Sequence, residues 1–214
     1  MANKPILFSG PMVRAILEGR KNRTRRLIKP PVPLVGQNGG EFLEVVPTKL
    51  ACGFGFDWRY RLDNPEFRKP RYRKGDLLWV CEAWRTHIGY DKFPPRHIPD
   101  NSRIEYLADG QELESGRYRH ARFMCKWMAR LWVRVTEDPY PERVRDITEA
   151  EAIREGVESA PCLASECTSE RHLSQQFTYR AGFFRIWKEL HGPDSWERDW
   201  DWRYAFERTE APHG

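Results

Sequence analysis

The sequence predicts an α+β protein: a small, mostly antiparallel β-barrel with flanking helices and two long insertions. Three observations lead there. Short β-rich runs recur from one end of the chain to the other, at 6–8, 22–28, 77–83, 132–135 and 202–207. Two amphipathic stretches carry their own start and stop signals. Two long, poorly periodic segments, about 30–70 and 85–122, interrupt the order strand, helix, basic strand, further strands, short helix, longer helix, closing strand. No internal repeat appears, and the 214 residues read as a single domain over 1–214.

Ile6-Leu7-Phe8 is a short apolar strand. Ser9-Gly10-Pro11 then opens a helix, because proline at the first helical position forfeits a donor that would be unpaired anyway. Val13, Ile16 and Leu17 give that helix one apolar stripe, and Gly19 ends it. Asn22 to Ile28 continues as an extended strand, since its charges cannot form a buried helix face. The Pro- and Gly-rich stretch that follows has at most short strands. Arg73-Lys74-Gly75-Asp76 is a turn leading into Leu77 to Ala83, a central strand. Trp132 to Val135 begins another strand, continuing toward Tyr140. Thr148-Glu149-Ala150-Glu151 is a capping box, and Gly156 stops the short helix it starts. Residues 158–176 read as a loop. Phe183, Ile186, Trp187 and Leu190 mark the longer helix, closed by Gly192-Pro193, and Trp202 to Glu207 alternates as the last strand.

The formal charge is +5 and the pI about 9.0, which favours polyanionic partners. The charge is uneven: Arg20 to Lys29 holds six cations and no acid. Such a run is either a solvated face or a phosphate-binding one. Nine tryptophans suit core packing and base stacking alike. The five cysteines are scattered, without CxxC or zinc-finger spacing, and read as free thiols in a reducing compartment. The histidines show no metal-ligand spacing, so no metal and no cofactor is expected. No apolar run reaches the length of a membrane span, and the N-terminus lacks the apolar core of a secretion signal, so a cytoplasmic protein is expected.

Strand alternation puts Asn22, Thr24 and Arg26 on one face of the basic strand and Lys21, Arg23 and Arg25 on the other. Lys21 sits at the helix-to-strand junction, where alternation need not hold. Glu82, between Cys81 and Trp84, either faces a cleft or is an edge carboxylate paired with an arginine. Trp79 and Trp84 either stack a base or pack in the core, the core being the better reading for Trp79.

From Ile16 to Arg26 the chain resembles the signature of the ASCH domain, a PUA-like fold in which a helix ending I-L-x-G-x-K precedes a basic, Thr-containing strand. Lys74 to Val80 resembles that family's G-D-x-L-x-V turn and strand, Ile147 to Gly156 its short helix with a late glutamate, and Tyr204 to Glu207 its closing strand. The layout is also similar to proteins of bacteriophages and prophages. These share the GPMVRAILEGRK start, the G-D-x-L-W-V-x-E-x-W block (Gly75 to Trp84) and the G-P-x-S-W motif (Gly192 to Trp196).

The resemblance implies a PUA-like barrel whose basic cleft binds RNA or a modified nucleoside, in the cytoplasm of a bacterial host if phage-encoded. Small ASCH enzymes remove the acetyl group of N4-acetylcytidine with a Lys, a Thr and a Glu, which Lys21, Thr24 and Glu155 match. Arg20, Arg23 and Arg25 would depress the Lys21 pKa and favour its basic form. Neutral Lys21 would take a proton from Thr24 or a water, Glu155 would protonate the leaving amine, and Arg26 would stabilise the oxyanion. Arg20, Arg23, Arg25, Arg26, Glu82 and Trp84 are the expected nucleic-acid contacts. This chain is about twice as long as those enzymes, and the arginines at 23 and 25 differ from them. A ribonuclease and a non-catalytic phage interaction or morphogenesis protein are the alternatives.

Overall fold

Thirteen strands form among the described residues. In chain order they begin with β1 (Asn3–Leu7), β2 (Arg23–Leu27), β3 (Phe42–Leu50), β4 (Gly53–Tyr60) and β5 (Glu66–Arg68). Next come β6 (Leu77–Cys81), β7 (Trp84–Thr86), β8 (Ile104–Tyr106) and β9 (Trp132–Val135). The last are β10 (Tyr140–Arg143), β11 (Ala160–Pro161), β12 (Phe177–Thr178) and β13 (Trp200–Thr209). The helices are α1 (Gly10–Leu17), α2 (Glu149–Arg154), α3 (Tyr179–His191) and the one-turn α4 (Ser195–Arg198). The computed structural model describes residues 3–28, 42–50, 53–60, 66–68, 70–110, 116–162 and 177–212.

The fold is α+β and its pairing mostly antiparallel, β1 with β6 being the parallel exception among the described residues. The paired strands there follow open paths that do not close into a ring. The chain forms two compact units, each discontinuous in sequence: Met1–Asn22, Gly75–Thr136 and Phe206–Gly214, and Arg23–Lys74 with Glu137–Ala205.

In the first unit, β6 lies between β1 and β9, and β9 also pairs with the C-terminal end of β13. Pro11 starts α1, and Val13, Ala15 and Ile16 face inward. Gly19 ends the helix with a left-handed φ of 75°, which glycine adopts without a Cβ penalty. Residues 85–122, expected to be irregular, form the β7–β8 pair and several single-turn 3-10 helices. Ile98 and Ala121 of this segment join Cys81, Trp84, Met124 and Met128 in an apolar core. Elements of three residues are too short to print a period on the sequence, which is why the segment reads as a loop.

In the second unit, β13 lies between β2 and β10. The 30–70 stretch departs further from expectation. It contains a nine-residue β3 and an eight-residue β4, paired antiparallel, with β5 alongside. Gly53 and Gly55 within β4 and Pro47 within β3 dilute the strand signal that this backbone carries.

The capping box holds as read. The Thr148 hydroxyl accepts from the Glu151 N–H at 3.3 Å, and the Glu151 carboxylate accepts from the Thr148 N–H at 3.3 Å. The longer helix starts at Tyr179, earlier than its apolar stripe, because the Thr178 hydroxyl caps it by accepting from the Ala181 N–H at 3.1 Å. Phe183 and Trp187 of α3 pack with Val144, Ile147, Ala152, Val157 and Trp196. A Cβ at Gly182 would fall 1.9 Å from the Glu158 carbonyl, so only glycine lets α3 lie this close to the chain after α2. The G-P-x-S-W motif is a helix terminator. The Ser195 hydroxyl donates to the Gly192 carbonyl at 2.6 Å, and Trp196 fills the core beside Phe184.

Cys81 and Cys125 are free, whereas Cys162 is disulfide-bonded, a correction to the all-thiol expectation that no framework spacing announced. Most of the loop expected at 158–176 lies outside the described residues. Among the described residues no helix is long and apolar enough to cross a membrane, and no cluster of three His, Cys, Asp or Glu is arranged to hold a metal ion.

Candidate functional site

The basic strand β2 has both faces occupied. Its register with β13 pairs Thr24 with Tyr204, Arg25 with Arg203 and Arg26 with Trp202. Directly paired residues share a face, so Thr24, Arg26, Trp202 and Tyr204 lie on one side, and Arg23, Arg25, Asp201 and Arg203 on the other. Glu142, paired with Asp201 from β10, joins the second set.

On that second face, Arg25 is the hub of a carboxylate cage. Its side chain is 0% exposed. The guanidinium donates to Glu155 at 3.1 Å, to Glu151 at 3.2 Å and to Glu142. Its Nε lies 3.4 Å from an Asp201 oxygen, and its flat face lies over the Phe183 ring. Arg203 closes the cage with bonds to Glu151 at 2.7 Å and Glu142 at 3.3 Å. Burial alone would lower the Arg25 pKa, but Asp201, then Glu155 and Glu142, hold it above the usual guanidinium range. Burial pushes the Asp201 carboxyl well above the ordinary aspartate range, with Arg25 opposing. Among the described residues, neither Asp201 oxygen has a hydrogen-bond partner. Burial would raise Glu151 too, but there Arg25, the Thr148 N–H and Arg203 outweigh it and hold it below the ordinary range.

On the first face, Thr24 is 3% exposed, pairs with Tyr204 across the strands and shares its face with Arg26. Burial lowers the Arg26 guanidinium, while Tyr72, Glu155 and Tyr204 pull it back up. The Tyr72 and Tyr204 rings meet edge to face at 5.3 Å, and the Tyr204 hydroxyl accepts from the Arg71 N–H at 3.2 Å. Burial raises the Tyr204 phenol above its usual range. Glu155, 3% exposed at the C-cap of α2, is the acid that bears on both arginines: it bonds Arg25 and acts electrostatically on Arg26. Thr24, Tyr72, Tyr204 and Glu155 are thus buried polar side chains of the second unit, beside the Arg25 cage, and Arg26 is half-buried.

Lys21 belongs to the first unit. Its N–H donates to the Ala15 carbonyl at 3.0 Å, completing the helix exit, and the side chain turns inward. The residue is 2% exposed and its ammonium lies 5.6 Å from the Phe8 ring centroid. Phe8 in turn meets Phe206 at 6.0 Å. A lysine buried this far is rare and calls for a reason.

The remaining expected contacts have diverse settings. Arg20 is exposed and pairs with Glu18, and Arg23 reaches Glu137 at 3.5 Å. Arg25, read as a nucleic-acid contact, has an unexposed side chain whose charged partners among the described residues are the carboxylates of Glu142, Glu151, Glu155 and Asp201. Glu82 takes the second of its two sequence readings. It is 1% exposed, and Arg130 grips both its oxygens at 2.9 and 3.0 Å while also bonding Asp109 at 2.9 Å. Burial raises the Glu82 pKa, and Arg130 offsets part of that. Trp84 is a fully buried core residue with Arg119 over its ring at 5.2 Å.

Sequence reasoning missed Tyr72, Asp201 and Arg203. A signal existed for Asp201: an acid at an inward position of an apolar, alternating strand demands a buried cation. Comparison with protein-family models, curated proteins and solved structures finds no match to this chain.

Proposed function

We propose that this chain is an RNA- or nucleoside-directed protein of PUA-like, ASCH type that hydrolyses an acylated nucleobase such as N4-acetylcytidine. The observation that carries the reading is that Lys21, Thr24 and Glu155, the three residues the resemblance assigns to catalysis, are all buried polar groups at 2 to 3% exposure. Three such groups are costly to bury and concentrate where chemistry needs them. In the reaction that the resemblance implies, Lys21 has the role of general base, and the oxygen of Thr24 or of a water, once deprotonated, adds to the acetyl carbonyl. Arg26 has the role of oxyanion stabiliser, the C–N bond breaks, and the proton given up by the nucleophile is returned, with Glu155 as the acid, to the departing exocyclic amine. Where Thr24 is the nucleophile, water then hydrolyses its ester. The net change is one water consumed, with acetate and cytidine formed. Arg25 would act as a positioning residue by fixing the Glu155 carboxylate.

The test is release of acetate and cytidine from N4-acetylcytidine. Wild type is expected to turn over, and Lys21→Ala to lose at least about a hundredfold in rate with its fold intact. Full activity in that variant would remove the proposed base. Absence of turnover in wild type would favour the second reading, recognition of RNA or a modified base without hydrolysis. The hold of Arg25 on Glu155 supports that second reading, because it explains the burial of Glu155 by structure alone.

A further inference from the structure

The segment from Lys92 to Trp127 in the first unit exposes four aromatic side chains, and each directly follows an exposed cation: Lys92-Phe93, Arg117-Tyr118, Arg122-Phe123 and Lys126-Trp127. The rings are 37 to 57% exposed, although each is large enough to anchor a core. Their outward placement is built in. The buried Arg119 guanidinium donates to the Tyr90 and Phe93 carbonyls at 2.7 and 3.1 Å, and Asp91 accepts from the Arg117 N–H at 2.9 Å. These bonds pin the Lys92-Phe93 turn beside the Arg117-Tyr118 segment. Two successive 3-10 turns then put Ala121, Met124 and Met128 into the core and leave Arg122-Phe123 and Lys126-Trp127 outside.

We infer that this face is a binding track for a single strand of nucleic acid. Every one of these rings is preceded in the chain by a positive charge. Alternating cations and π-faces complement a chain of alternating phosphates and bases. The side chains of Lys92, Arg117 and Arg122 make no ion pair or hydrogen bond among the described residues, so they are available to phosphate. The nearby acids are engaged: Asp109 with Arg130, and Asp91 with the Arg117 backbone. Tyr118 to Trp127 spans at most about 30 Å, room for several nucleotides. The inference deepens the proposed function and rests on it for the chemistry done on the strand: the substrate class becomes a modified base within a strand rather than a free nucleoside.

The test is fluorescence anisotropy of labelled twelve-nucleotide uridine RNA and thymidine DNA across a salt series, with the full chain. Wild type is expected to bind, with affinity falling as salt rises. Phe123→Ala with Trp127→Ala should weaken binding at least about fivefold per ring lost. Lys92→Gln, Arg117→Gln and Arg122→Gln together, which keep the aromatics and spare the core, should flatten the salt dependence. Tighter binding of one oligonucleotide identifies the strand type. Unchanged affinity in both variants overturns the track, as does a wild type that binds neither oligonucleotide but dimerises through these rings. Turnover of free N4-acetylcytidine should be unaffected by either variant. Loss of strand binding with that turnover intact therefore concerns the track, and absence of that turnover in wild type concerns the proposed function.

Discussion

Glu82 in the first unit and Asp201 in the second are both buried acids beside an arginine, yet the two regions treat them differently. Arg130 gives Glu82 two well-formed hydrogen bonds and also bonds Asp109. Arg25 is divided among four carboxylates, and among the described residues Asp201 is left with a 3.4 Å ion contact and no hydrogen bond to either oxygen. The first arrangement is balanced and structural. The second holds four carboxylates against two guanidiniums, Arg25 and Arg203, among the described residues, with burial raising the Asp201 carboxyl. Glu155 is the member of the cage that also bears on Arg26.

The contrast breaks most severely at its hub. Arg25→Met takes the guanidinium from buried Glu155 and Asp201, while Glu142 and Glu151 keep Arg203, and should cost about 3–5 kcal/mol in urea unfolding, enough to leave the chain only marginally folded. Arg130→Ala strands only Glu82 at full burial, beside a surface where water can enter, and should cost about 2 kcal/mol by the same measurement.

Asp201→Asn sharpens the comparison through pH. A carboxyl raised in the folded state contributes most below the ordinary aspartate value and loses that contribution as pH rises through its folded value. Relative to wild type, the variant should therefore gain stability steadily as pH increases from about 4. Glu151→Gln should do the reverse. Its lowered carboxyl stabilises above the ordinary glutamate value, so the deficit of the variant should shrink as acid is added. Thermal melts over pH 3 to 8 distinguish the two signs, and parallel curves would dismantle the account of the cage. The smallest effect is at Arg20→Ala, whose exposed pair with Glu18 should be worth less than about 0.5 kcal/mol.

What the sequence made legible was local. The capping box at Thr148, the glycine stops and the two amphipathic helices are written within a few residues of one another and were found where expected. The alternation of β2 also follows from its period, so Thr24 and Arg26 could be set on one face in advance. Long-range partners were not legible. Arg25 meets Glu155 across 130 positions, and nothing near either residue announces the other. The β3–β4 pairing was hidden for a different reason. Glycine and proline lower strand propensity, but backbone pairing over the length of both strands does not depend on it. Glu82 shows the limit of reading an acid on an apolar strand: cleft and ion pair predict the same residue, and only Arg130, 48 positions away, decides between them.

The most direct test of a working rather than structural Glu155 compares Glu155→Gln with Glu142→Gln, since both carboxylates bind Arg25 and both variants preserve shape. Turnover of N4-acetylcytidine should fall by about a hundredfold or more in Glu155→Gln and stay within a few-fold of wild type in Glu142→Gln, with similar losses of stability in the two. Equal turnover in the two variants would contradict the assignment and leave Glu155 as one more wall of the cage.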